Sequence, residues 1–208
     1  MPMTLTVLDA SKGDVTIRLA TAGEQVTVSS KLLSFTSPVF EAMLRPTFAE
    51  GIQLEKTGTT EFTLDDDDPE ALVIVLKVIH HCTNDIPDYL DVDLIYNVAL
   101  IVDKYDVVWP LVSWFKLWIQ PFRGIAAKPP RYKEWFWISW VSRDAVLFAE
   151  TTRRLVLEAK LDDDGEMRLA DTLPDRVMDR CIDLKAEGKM PTSIRTTYPG
   201  YRGGGQKV

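Results

Sequence analysis

The sequence predicts an α+β protein: a small sheet flanked by α-helical hairpins, followed by an all-α extension. Three observations carry this. Residues 14–28 alternate apolar and polar side chains in two short runs, as half-buried strands do. Helix start signals then come in succession at Ser29-Ser30, Ser37-Pro38 and Asp68-Pro69. Beyond residue 131 the apolar spacing is helical.

In the first strand Val15, Ile17 and Leu19 lie on one face, Thr16 and Arg18 on the other. Ala22-Gly23-Glu24 turns the chain, and Val26 and Val28 give residues 25–29 the same alternation, so the pair reads as a hairpin. Met3, Leu5 and Val7 suggest a further strand before Asp9. Ser29-Ser30 caps a short helix through Ser34. Ser37 caps a second, longer helix with Pro38 at its first position, where a missing N–H costs nothing. Val39, Phe40, Met43 and Leu44 share a face there, and Pro46 ends it. Loop follows, as far as a short strand at Phe62-Thr63-Leu64.

Asp68 caps the next helix, with Pro69 behind it and Glu70 facing the positive end of the helix dipole. From Pro69 to about His81, Leu72, Val75, Leu76 and Ile79 form one face and Ala71, Ile74 and Val78 another, so this helix is buried nearly all round. After a loop at 84–87, Asp91 or Asp93 starts a helix carrying Ile95, Val98, Ala99 and Val102 in register. Another, from about Val107, carries Val108, Leu111, Phe115 and Trp118. Residues 121–131, with three prolines and a glycine, read as a connector. Helices are expected at about 133–142, 144–160 and 174–187, with a turn at 162–166. The predicted organisation is an N-terminal segment 1–12, a domain 13–120, the connector 121–131, a helical extension 132–190 and a polar, disordered tail 191–208.

Apolar residues make up 46% of the chain, ample for a core. The net charge of −7 repels phosphate backbones and argues against nucleic acid as a partner. The charge is uneven: residues 1–105 hold 17 acids against 7 bases, residues 106–208 hold 14 against 17. The acidic part suits a basic partner. The longest apolar run, residues 71–79, is interrupted by Lys77 and is too short to span a membrane. The N-terminus lacks the basic and apolar regions of a signal peptide. Cys82 and Cys181 are far apart and read as buried thiols in a reducing compartment. The expected location is therefore intracellular, in cytoplasm or nucleus.

His80-His81-Cys82 with Asp85 is the cluster that suggests metal chemistry. Adjacent helical residues diverge by about 100° and do not converge on one ion. A helix-end pair favoured by the dipole is the better reading. The four aspartates 65–68 lack the glycine of a calcium loop and read as a solvated helix entry. No phosphate loop, dinucleotide fingerprint, nucleophile elbow or H-E-x-x-H is present. No catalytic residue, metal ligand or cofactor is assigned, and a small metal-dependent hydrolase is the remotest reading. All six tryptophans lie between 109 and 140. They read mainly as packing, but Trp135 and Trp137 face different ways in a helix, so at least one is a candidate for exposure. Ser37-Pro38 fits a proline-directed phosphorylation pattern, although a cap at that place would be buried.

The series Asp14, Ser29, Leu33, Ser37 and Phe40 resembles the central motif of the BTB/POZ family. There an Asp opens a strand and a polar residue, commonly His, precedes Leu, Ser and Phe at steps of four, four and three. Ser29 stands in the place of that His. FTLDDDDPEALVIVLKVIHH is similar to the family's third strand and following helix, and LIYNVALIVDKYDV to a helix ending A-x-KY. The likeness covers about residues 13–120. Together SPVF, DDDPEA and DKYD look most like BTB proteins of filamentous fungi, whose helical extension residues 132–188 also resemble.

The resemblance implies a non-enzymatic module for binding other proteins, with Asp14, Leu33, Ser37 and Phe40 as structural residues. Some members are substrate adaptors on a cullin-type ubiquitin-ligase scaffold. These carry a hydrophobic–x–Glu triplet whose first residue falls eight after the motif Phe. Phe48-Ala49-Glu50 stands there, making Phe48 and Glu50 the candidate protein-binding residues. An apolar anchor would enter a groove while the carboxylate meets a donor. Against this, Phe48 could fold back onto its own domain and leave Glu50 a solvated loop charge. Two readings stay open: a cullin adaptor that also holds a substrate, and an oligomeric scaffold or regulatory protein with no ubiquitin role. The thirteen residues before Asp14 look extended, which disfavours a dimer swapped through an N-terminal helix.

Overall fold

The computed structural model describes residues 4–5, 13–19, 24–126, 130–158, 160–161 and 167–168. The expected helix at 174–187, with Cys181, and the tail 191–208 lie outside these, as do residues 20–23 and 162–166. The chain divides into two units, residues 1–123 with 140–144, and residues 124–139 with 145–208.

The first unit is built on a four-stranded sheet. Its strands are β1 (Thr4–Leu5), β2 (Val15–Leu19), β3 (Gln25–Val28) and β4 (Thr60–Leu64), in the order β1-β3-β2-β4. The expected hairpin is present: β2 and β3 pair antiparallel with Ile17 opposite Val26. β4 adds parallel to β2, with Phe62 opposite Ile17. It starts two residues earlier than its apolar pattern shows, because Thr60 is buried although polar. Val15, Ile17, Val26 and Val28 are fully buried, so the alternation in the sequence does set the inner face. Arg18 and Glu61 form an ion pair across β2 and β4.

Among the described residues of this unit stand the α-helices α1 (Ser30–Thr36), α2 (Pro38–Met43), α3 (Ala49–Thr57), α4 (Pro69–Ile79), α5 (Val92–Lys104) and α6 (Val108–Ile119). α4 packs against α1, α5 and α6, and eight of its eleven residues are buried, which explains its apolar residues on every side. Asp68 caps it through the Ala71 N–H at 2.9 Å, and Asp91 caps α5 through the Leu94 N–H at 2.9 Å.

Three expectations need correction. The sequence predicts loop where α3 stands. Its sequence, AEGIQLEKT, has no apolar stripe and a central glycine, so periodicity does not announce it. α1 runs to Thr36 and is longer than α2, reversing the expected lengths. The Ser29 side chain makes no cap bond; the cap of α1 comes from elsewhere in the fold, as described below.

In the second unit α7 (Tyr132–Val141) begins and α8 (Ala145–Glu158) follows, both close to their expected bounds. α7 is apolar nearly all round, with Trp135, Phe136, Trp137 and Ile138 all buried. Among the described residues of the extension, α7 and α8 are followed by a short ladder: β5 (Lys160–Leu161) pairs antiparallel with β6 (Met167–Arg168).

Candidate protein-docking site

The motif residues are fastened inside the first unit. The Asp14 carboxylate accepts from the Ser30 N–H and the Ser30 hydroxyl, each at 2.6 Å. It thus supplies the cap of α1 that Ser29 does not. Leu33 is fully buried, and its carbonyl accepts the Ser37 N–H at 2.9 Å. The Ser37 hydroxyl accepts the Phe40 N–H at 3.0 Å, opening α2, and donates to the Tyr105 carbonyl at 2.5 Å. It is buried, which leaves no access for a kinase. The Phe40 ring stacks on Tyr105 with centroids 4.4 Å apart and planes 4° from parallel.

Tyr105 extends this knot to a residue whose role the sequence did not reveal. Its hydroxyl donates to Asp67 at 2.5 Å, and the Lys104 ammonium donates to the other Asp67 oxygen at 2.8 Å. Burial first, then the hydrogen bond to the Asp67 carboxylate, push the Tyr105 phenol far above its ordinary value. Of the four aspartates read as a solvated helix entry, Asp68 caps the helix, whereas Asp67 points inward and is buried. The one available signal was Tyr105, whose hydroxyl needs an acceptor once it is buried.

His80 does stand at the helix end, but the dipole is not what holds it there. It is buried at the end of α4, its Nδ1 lies 2.8 Å from the Leu76 carbonyl, and its Nε2 accepts the Ser29 N–H at 2.9 Å. That pattern needs a neutral ring with Nδ1 protonated. Burial lowers the His80 pKa below its usual value. A charge drawn to the dipole is therefore not what fixes it. His81 takes a left-handed backbone (φ 58°), and the Cys82 and His81 N–H groups bond back to Lys77 and Val78, which closes the helix. Cys82 is half-buried, not fully so as expected. Among the described residues no three His, Cys, Asp or Glu side chains are grouped to hold a metal.

The surface candidates stand apart from this interior. Phe48 is the N-cap residue of α3 and is 54% exposed, so it does not fold back onto the domain. Glu50 lies in the first turn of the helix, not in a loop, and is half-buried. The helix is held by close approach. A Cβ on Gly51 would lie 1.9 Å from the Arg45 carbonyl oxygen, so only glycine lets this turn sit on the chain leaving α2. Gly58, left-handed at φ 77°, ends it. One turn on from Phe48, Ile52 is 37% exposed.

Other surface features are less specific. A cavity of about 470 Å³ beside α4 has Val73 and Ile74 in its wall and Glu24, Asp68, Glu70 and Asp85 around it. Lys77 in this wall donates to the Asp85 carbonyl at 3.3 Å. Of the tryptophans, Trp118, Trp135 and Trp137 are buried, so neither member of the 135/137 pair is the exposed one. That is Trp109, 74% exposed, with the Arg143 guanidinium 4.3 Å from its ring centre. No helix among the described residues is long and apolar enough to cross a membrane.

Comparison with known families agrees with the geometry. Residues 8–108 match the family model described as BTB/POZ domain. No curated protein matches the chain.

Proposed function

We propose, from the premise that residues 8–108 form a BTB/POZ domain and hence a protein–protein interaction module, that this chain is a non-enzymatic adaptor docking on a cullin-type ubiquitin-ligase scaffold. Phe48 is the apolar anchor, Glu50 accompanies it in the first turn of α3, and the second unit holds a substrate. The observation that carries this reading is a phenylalanine 54% exposed at the head of a helix whose backbone is fixed by Gly51. A fixed, exposed aromatic is the side chain that interfaces use as an anchor. The acidic excess of residues 1–105 suits a partner surface of opposite sign.

The test is light scattering on size-exclusion fractions of the purified chain, alone and mixed with the N-terminal region of a BTB-binding cullin. A stable complex is expected, and the double variant Phe48→Ala, Glu50→Ala should lose it. Binding that survives the double variant removes these residues from the interface.

A second reading, an oligomeric scaffold or regulator with no ubiquitin role, draws on a separate feature. Phe35 on α1 is 88% exposed, an aromatic left open well away in sequence from the triplet. A defined oligomer of the chain alone, with no cullin complex, favours it.

A further inference from the structure

We propose that Thr63 is a phosphorylation site, modified by a kinase that reads carboxylates on the C-terminal side of its acceptor, and that Arg18 receives the phosphate. The inference goes beyond the adaptor reading and does not depend on it.

Strand geometry presents the acceptor. Thr63 is the next-to-last residue of β4, which lies at one edge of the sheet and pairs with β2 alone. Phe62 is buried, so Thr63 points the other way, and it is exposed. The segment is already extended, the form in which an edge strand can be gripped along its open side. After Leu64 the chain leaves the ladder, and the next two residues, Asp65 and Asp66, are exposed. They place carboxylates two and three residues after the hydroxyl, where a basic cleft can meet them. Among the described serines and threonines only Thr47 also has a carboxylate three residues on, that of Glu50, and there Ala49 and Gly51 stand on either side of it. Ser37 is the opposite case, a phosphorylation pattern on a buried cap.

In the transfer the Thr63 Oγ1 attacks the γ-phosphorus of ATP. The new O–P bond forms as the bond to the β–γ bridging oxygen breaks, ADP leaves, and the hydroxyl proton passes to the base of the kinase. The product has a waiting partner. Arg18 stands directly opposite Thr63 in the ladder and is exposed on the same face. Adjacent strands lie about 4.8 Å apart, well within the reach of an arginine. Arg18 now pairs with Glu61, two residues before Thr63. A phosphate carries about −1.5 to −2 charge at pH 7 and offers the guanidinium a stronger, bidentate acceptor, so it takes Arg18 from Glu61. Arg18 and Glu61 are the charged residues of β1 to β4, so the modification turns the outer face of the sheet from balanced to acidic.

The experiment incubates the full chain with ATP and casein kinase 2, an acid-directed kinase, and reads intact mass and fragmentation. One phosphoryl group on Thr63 is expected. Thr63→Val should take none there, and Thr63→Ser should keep it. Asp65→Asn with Asp66→Asn should slow incorporation about tenfold, the loss of two specificity contacts. Thr47→Val should not change it. Thermal unfolding checks the fold of each variant. The phosphate is then titrated by phosphorus-31 NMR. Its second pKa, ordinarily about 6, should be lowered by the guanidinium and should rise by about half a unit in Arg18→Ala. No phosphoryl group on Thr63 of the folded chain overturns the site, even if a peptide of residues 58–70 is modified, because the strand is then closed to the kinase. A pKa that Arg18→Ala leaves unmoved overturns the role of Arg18.

Discussion

Phe40 and Phe48 are the same side chain eight residues apart, and the fold treats them in opposite ways. Phe40 is wholly buried, stacked on Tyr105 and tied through Ser37 to the end of α5. Phe48 stands more than half exposed at the head of a helix fixed by one glycine. Around Phe40 every named polar group has a partner, down to Asp67 and Lys104. Around Phe48 the carbonyl accepts the Ile52 N–H at 2.9 Å, while the side chains of Phe48 and Ile52 face water. The contrast separates residues that make the domain from residues that the domain presents.

The sharpest way to break this contrast is to truncate both rings. Phe40→Ala should cost about 3–5 kcal/mol, because the hole cannot close between α2 and Tyr105. Phe48→Ala should stay within about 0.5 kcal/mol of wild type, as exposed positions do. Urea unfolding of the two variants side by side reads this directly. Equal losses would mean that Phe48 is part of the core after all.

A smaller effect tests how far the buried knot reaches. Asp67→Ala leaves the Tyr105 hydroxyl without its acceptor in a buried site, at a cost of about 1–3 kcal/mol. Lys104 can turn to water, so its loss adds little. Asp65→Ala and Asp66→Ala, next in the same run and exposed, should be nearly neutral. Urea midpoints of the three variants check this; a uniform response would return Asp67 to the solvated entry suggested by sequence.

The sheet, α1, α2 and the helices from α4 onward were legible because each had a period or a cap. β2 and β3 alternate, Ser37-Pro38 and Asp68-Pro69 announce helix starts, and α4 is apolar enough to be interior. α3 was not legible. A helix that packs through Gly51 against a carbonyl has no apolar face to give it away, and its isoleucine and phenylalanine point outward. The triplet therefore stands at the head of a helix instead of in a loop, with Phe48 exposed and Glu50 half-buried. Asp67 was missed for a related reason. In a run of four aspartates, which one turns inward depends on Tyr105, which follows 38 residues later. His80 was misread because its acceptor role depends on the Ser29 N–H, 51 residues away.

The same interior makes a gentler prediction that needs no large truncation. His80 is held neutral, accepting from Ser29 and lying against Leu76, and burial lowers its pKa below the unfolded value of 6.5. The unfolded chain therefore binds the proton first as pH falls. The contribution of His80 to stability is full above about pH 6.5 and declines as pH drops from there to the folded pKa, after which it stays lost. His80→Gln cannot titrate, so the stability difference between wild type and variant should narrow from pH 7.5 to pH 5.5. A difference that widens would mean that the ring is charged in the folded protein. In that case the Ser29 N–H would have no acceptor at His80.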